Sequence, residues 1–170
     1  MIAPAKPRVL VVDDNQDAAL STSELLSLAG FEVETCFDGP SALAAAERFA
    51  PDACLLDITM PGMDGYQLAR KLRERFPDRT PLFATMTAYG HYAHLEQAVD
   101  AGFDLHFTKP ADPGEVIEQL KEGIRSGATF TAGDPAKAGE DADPKSVLHR
   151  LLTRLTGLWT QPEPRARDSR

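Results

Sequence analysis

The first 125 residues alternate short apolar runs with amphipathic stretches. Arg8-Val-Leu-Val-Val12 is a continuous apolar run, the pattern of a strand buried on both faces of a parallel sheet. A helical segment from Gln16 to Ala29 follows, with Leu20, Leu25, Leu26 and Leu28 as its apolar side and Gly30 as its stop. Phe31 to Phe37 alternates apolar and polar residues, as a half-exposed edge strand does. Ser41 to Phe49 is an Ala-rich helix. Ala53 to Leu56 is a third strand that ends in Asp57, and a Pro/Gly-rich loop from Thr59 to Gly65 leads to a helix from Gly65 to Phe76. Asp64 is placed to cap that helix. Leu82 to Met86 is the fourth strand, followed by Thr87 and Ala88. The pattern then predicts a helix from about His91 to Ala101, a strand from Asp104 to Thr108 ending in Lys109-Pro110, and a fifth helix from Glu115 to Ile124 behind the Asp112-Pro113 start signal.

Five strands alternating with five helices predict an α/β fold with a doubly wound parallel sheet. The edge character of the second strand favours the order 2-1-3-4-5, with strands 1 and 3 side by side at the centre. Ligands of such sheets bind beyond the C-terminal ends of the strands. There this chain carries Asp13-Asp14, Asp57, Thr87 and Lys109.

Beyond residue 125 the pattern changes. Residues 126–143 are rich in Gly, Ala, Asp, Thr and Pro and read as a flexible linker. A helix is expected over residues 144–160. On it Val147, Leu148, Leu151, Leu152, Leu155, Leu158 and Trp159 fall in one arc of about 140°. Such a stripe seeks a partner, so residues 147–159 are expected to serve a homodimer or a contact with another protein. Residues 161–170 read as a disordered tail.

Charge and composition narrow the classes. The net charge is −8 with 42% hydrophobic residues. An acidic body argues against nucleic-acid binding, which needs a basic surface. No apolar run is long enough to span a membrane, and the polar face of the C-terminal helix carries few cations, so a membrane partner is not expected. Cys36 and Cys54 lie within strand-like runs and read as buried free thiols of a cytoplasmic protein.

The candidate chemistry lies at the strand ends. Taken singly, Asp13-Asp14 reads as a helix N-cap pair, Thr87 as a cap and Lys109-Pro110 as a loop. Together they place three carboxylates, a hydroxyl and an ammonium in one crevice. The carboxylates repel one another and call for a positive counter-charge, for which the hard cation Mg2+ with oxygen ligands is suited. Lys109 adds a mobile charge and Thr87 a hydroxyl donor. The set fits phosphoryl transfer onto a carboxylate, with Asp57 as nucleophile.

At these residues the sequence resembles the receiver domain of two-component response regulators. Val-Leu-Val-Val-Asp-Asp-Asn, Leu-Leu-Asp-Ile-Thr-Met-Pro-Gly-Met-Asp-Gly, Thr-Ala and Thr-Lys-Pro occur in the family's order and approximate spacing. The match covers residues 7–125, so that 1–125 is expected to be the receiver. The resemblance implies a flavodoxin-like (βα)5 fold and a signalling switch rather than an enzyme. It implies that Asp57 accepts a phosphoryl group from a sensor or hybrid histidine kinase or a histidine phosphotransfer protein. It assigns Asp14 and Asp57 to Mg2+ through their side chains, Thr59 through its backbone carbonyl and Asp13 mostly through water. Thr87 and Lys109 would contact the phosphoryl group, and Lys109-Pro110 would be cis. One residue departs from the family: the switch position three before the lysine, usually Tyr or Phe, is His106. Receiver modules attached to hybrid kinases resemble the stretch Gly102 to Pro110. His106 is either a pH-sensitive substitute for the aromatic switch or simply a surface-facing strand histidine.

Output is expected through protein–protein contact. Two other readings stay in view: an intermediate passing phosphate to a downstream histidine protein, and an unphosphorylated scaffold organised by the C-terminal helix. A flavin site would need a Ser/Thr/Gly phosphate loop after the first strand, where this chain has Asp13-Asp14-Asn15. A haloacid-dehalogenase-type phosphatase would need Asp-x-Asp there. His91 and His94 read as a solvated helix face.

Overall fold

The structure is a computed structural model in which residues 5–88 and 101–127 are described. The expected helix after the fourth strand, with His91 and His94, and the segments 128–170 lie outside the described residues.

The elements are β1 (Arg8–Val12), α1 (Gln16–Leu28), β2 (Glu32–Cys36), α2 (Gly39–Phe49), β3 (Ala53–Asp57), α3 (Gly65–Arg75), β4 (Leu82–Ala88), β5 (Leu105–Lys109) and α4 (Pro113–Ser126). The five strands form one parallel sheet in the order β2-β1-β3-β4-β5. This is the topology expected from the sequence.

Alternation along the strands divides the core into two layers. Leu10, Val12, Cys54, Leu56 and Phe83 point to one face and pack with Ala42, Ala45 and Ala46 of α2 and Leu68, Ala69 and Leu72 of α3. Val9, Val11, Ala53, Leu55, Ala84 and Phe107 point to the other and pack with Ala19 and Leu26 of α1 and Val116 and Leu120 of α4. Both cysteines are buried and free.

Local signals fix the helix starts. Asn15, Asp38, Asp64 and Asp112 each accept a hydrogen bond from a backbone N–H three residues on. Asp64 and Gln67 form a reciprocal capping box. The cap of α1 is therefore Asn15, not the Asp13-Asp14 pair, which leaves both carboxylates out of that task.

Three expectations need correction. Leu20, Leu25 and Leu28 do not form the buried side of α1: they are exposed, and Ala19, Ser23 and Leu26 face the sheet. The close approach of α1 to β1 and β2 selects small residues, and Ser23 satisfies its hydroxyl on Thr35 of β2 at 2.7 Å. Thr87 and Ala88 belong to β4 rather than following it, because the ladder with β5 continues through Ala88 and Lys109. Asp104 precedes β5. Its backbone N–H donates to Phe83 O, and its carboxylate accepts the Phe83 N–H at 2.7 Å, which starts the strand one residue later than expected. The Lys109–Pro110 peptide is cis.

Two glycines hold the ends of the elements together. Gly65 opens α3 against the end of β3, where a Cβ would sit 2.3 Å from the Asp57 carbonyl oxygen. Gly102 has φ +74° and lies under Arg73 of α3, whose guanidinium donates to Ala101 O at 3.0 Å and to Gly102 O at 2.5 Å. Gly65→Ala puts a methyl group into backbone that cannot yield cheaply. It is expected to lower the unfolding free energy by about 1–3 kcal/mol, read from urea denaturation. An unchanged midpoint would mean that α3 can move away from the strand end without cost.

Candidate functional site

The site forms where β1, β3 and β5 end on the same edge of the sheet. Asp13 follows β1 directly. Its backbone N–H donates to Cys36 O at 3.2 Å, which extends the pairing with β2 by one step. Its Oδ1 accepts the Asn15 N–H at 2.9 Å, so the residue that caps α1 also orients this carboxylate. Asp57 is the last residue of β3, and its Oδ2 accepts the Thr59 N–H at 2.8 Å as the loop turns back over the strand end. Lys109, the last residue of β5, donates from Nζ to Asp13 Oδ2 at 2.7 Å and to Asp57 Oδ1 at 2.8 Å. Asp13 and Asp57 are buried, whereas Asp14 is exposed. One carboxylate oxygen from each of Asp13, Asp14 and Asp57 lies within 4.8 Å of the others.

Lys109 is not the mobile charge expected from sequence; it is tied to two carboxylates. Burial alone would lower its pKa, but the hydrogen bonds and charges of Asp13 and Asp57 raise it, so it stays protonated. Asp57 moves upward as well. Burial is the largest influence and raises its pKa, the hydrogen bond and charge of Lys109 pull it down, Asp13 pushes it up again, and the net direction is upward. One lysine therefore holds the two buried carboxylates together without fully compensating the desolvation of Asp57.

The donor set suits a hard divalent cation. Three carboxyl groups and one ammonium have a formal charge of −2, and the oxygens converge within one coordination sphere's reach. With no thiol or imidazole among the converging groups of the described residues, the donor set suits a hard cation such as Mg2+ rather than a softer metal.

The remaining sequence candidates lie around this cluster. Thr59 is exposed in the loop after β3. Thr87 is buried, one residue beyond Met86, the register partner of Asp57. His106 lies in β5 opposite Thr85 of β4. Among the described residues, Thr87 and His106 stand outside the hydrogen-bonded Asp–Lys cluster. His106 is less open than a surface-facing strand histidine. It is half-buried, its Nδ1 is buried, and burial lowers its pKa below the ordinary 6.5.

Three residues of structural consequence were not singled out from sequence. Asn15 was legible as a strong N-cap type following a strand end. Thr85 carried a weaker signal, a hydroxyl within the otherwise apolar run from Leu82 to Met86. Arg73 had none, because its carbonyl partners lie 28 and 29 residues further on.

Comparison with known proteins bears on this geometry. A family model described as the response regulator receiver domain matches residues 9–121. The chain is 37% identical over 129 residues to the transcriptional regulatory protein PrrA of Mycobacterium leprae, covering 75% of this chain and 54% of that protein. It is 33% identical over 121 residues to the DNA-binding dual master transcriptional regulator RpaA of Synechocystis, covering 70% of this chain and 49% of that protein. The chain thus spans about half the length of these curated relatives. Among solved structures, a CheY-like receiver domain protein from Methanospirillum hungatei superposes with a TM-score of 0.66 at 29% identity, over 72% of this chain and 96% of that one. The chemotaxis protein CheY4 of Vibrio cholerae superposes with a TM-score of 0.65 at 28% identity, over 69% of this chain and 98% of that one.

The raised pKa of Asp57 has a direct consequence for stability. Above the ordinary carboxyl value, the folded chain keeps a proton that the unfolded chain has released, so Asp57 costs stability increasingly as pH rises through its raised pKa. In chelator, the unfolding free energy of Asp57→Asn relative to the parent is expected to grow across that interval and then level off. Lys109, raised in the opposite sense of charge, loses its contribution only as pH climbs through its own raised pKa. Urea titrations at a series of pH values read both trends. A flat or inverted difference for Asp57→Asn would show that Lys109 outweighs burial.

Proposed function

The chain belongs to the response regulator receiver domain family, a family of signalling switches, and from that premise we propose that Asp57 is its phosphoacceptor. The observation that carries the reading is the Lys109 bridge: one ammonium holds Asp13 and Asp57 at adjoining strand ends, with Asp14 alongside. The proposed donor is a phosphorylated histidine on a sensor or hybrid histidine kinase or a histidine phosphotransfer protein.

In the proposed reaction an Asp57 carboxylate oxygen attacks phosphorus. The bond from phosphorus to the donor nitrogen breaks, the electron pair stays on the donor imidazole, and an aspartyl phosphate results. Lys109 is already within hydrogen-bond distance of the nucleophile and would neutralise charge on the transferred group. The Thr87 hydroxyl would donate to a phosphoryl oxygen. Asp13, Asp14, Asp57 and the Thr59 carbonyl would hold Mg2+, which when bound offsets the carboxylate charge and that of the incoming phosphate. Attack of water on the acyl phosphate would return free Asp57 and inorganic phosphate, so the chain assists its own phosphorylation and dephosphorylation. No described helix is long and apolar enough to cross a membrane, and a cytoplasmic site of action is part of the proposal.

The reading is tested by intact-protein mass after incubation with acetyl phosphate and Mg2+. The parent chain is expected to gain one phosphoryl group, Asp57→Asn none, and chelator is expected to prevent the gain. An equal gain in Asp57→Asn, or no gain by the parent from either acetyl phosphate or a phosphorylated histidine protein, would overturn it.

A further inference from the structure

Thr85 and His106 form a polar pair on neighbouring strands, Thr85 buried and His106 half-buried with its Nδ1 withdrawn from water. They face each other in register across β4 and β5. Alternation puts Thr85 on the same side of β4 as Phe83, the side covered by α2 and α3. Thr85 is fully buried. Its Oγ1 and the Nδ1 of His106 are both buried atoms without a hydrogen-bond partner among the described residues. Native interiors seldom leave such groups unmatched, and here two complementary ones sit side by side.

The chemistry of the pair selects one arrangement. A neutral imidazole has one acceptor and one donor nitrogen, and a threonine hydroxyl can donate or accept. Burial favours the neutral ring. If Nδ1 carried the proton, the Thr85 O–H would remain a buried donor with nothing to donate to. With Nδ1 as acceptor, the hydroxyl proton and the ring nitrogen are satisfied together. We propose that Thr85 is a positioning residue for His106: its hydroxyl donates to His106 Nδ1, directly after a side-chain turn or through one water, and holds the imidazole against β4 as the Nε2–H tautomer. The pair then ties the residue two before Thr87 to the residue three before Lys109, and β4 and β5 reach the site in fixed register. This assignment concerns strand geometry alone and stands whether or not Asp57 takes a phosphoryl group.

The test uses the full chain with 15N-labelled histidine, observed by two-bond proton–nitrogen correlation above the histidine titration. Loss of one signal set in His106→Gln makes the assignment. His106 is expected as the Nε2–H tautomer. Its Nδ1 resonance should move downfield in Thr85→Val, as for a ring nitrogen that has lost a donor, and stay in place in Thr85→Ser, which keeps the hydroxyl. An Nδ1–H tautomer in the parent chain would overturn the proposal, and so would identical His106 signals in parent and Thr85→Val. The parent spectrum decides the tautomer even if Thr85→Val does not fold.

Discussion

A single ammonium group holds the site in place. Asp13 and Asp57 lie at the ends of neighbouring strands, β1 and β3, and both are withdrawn from water. Left alone they would repel one another and favour protonation or a parting of the strand ends. Lys109 reaches them from β5, which lies two strands beyond β3 in the sheet. Strands are spaced about 4.8 Å apart, so that span is about 10 Å and asks for one of the longest side chains. A compact ammonium with three donors suits two carboxylates in different directions better than a planar guanidinium built for one. The cluster is a charge balance struck between three strand ends, and it depends on β1, β3 and β5 ending on one edge of the same sheet.

The backbone devices around the cluster serve the same end. Gly65 lets α3 start directly on the Asp57 carbonyl. The Thr59 N–H fixes Asp57 Oδ2, leaving Oδ1 for Lys109. Asn15 does two jobs with two groups, its side chain capping α1 and its N–H holding Asp13. Each buried carboxylate thus receives one backbone hydrogen bond from the loop that follows it and one from the lysine. The orientation of the acidic groups is built into the strand-to-helix turns, so it does not depend on side-chain packing that the two core layers would have to supply.

The parts of this arrangement that sequence displayed share a physical cause. Strands buried on both faces must be apolar throughout, so β1 and β3 stood out, and polar residues at their ends stood out by contrast. The edge position of β2 was legible because its residues alternate apolar and polar, and four of its five positions are exposed or half-buried. What was not legible depended on partners remote in sequence. The leucines of α1 looked like a buried side because periodicity alone does not say how closely a helix approaches a sheet; a close approach selects Ala19 and Ser23 over larger neighbours. Lys109 reads from sequence as a mobile charge because its carboxylate partners are 52 and 96 residues away.

Arg73 shows how a distant contact can substitute for a local one. The chain enters β5 through Ala101, Gly102, Phe103 and Asp104, with a turn at Ala101-Gly102. That turn is held from α3. Arg73 donates to two consecutive carbonyls at 101 and 102, its guanidinium lies 5.0 Å from the ring centre of Phe83, and Asp104 exchanges hydrogen bonds with the Phe83 backbone. Phe83 is thereby gripped from above by the arginine and along its backbone by the aspartate, while Phe103 packs edge-on against its ring. The register that results is the one that brings Lys109 level with Ala88. The placement of the ammonium on Asp57 therefore rests on a grip on Phe83 five residues earlier in β4, well away from the acidic cluster.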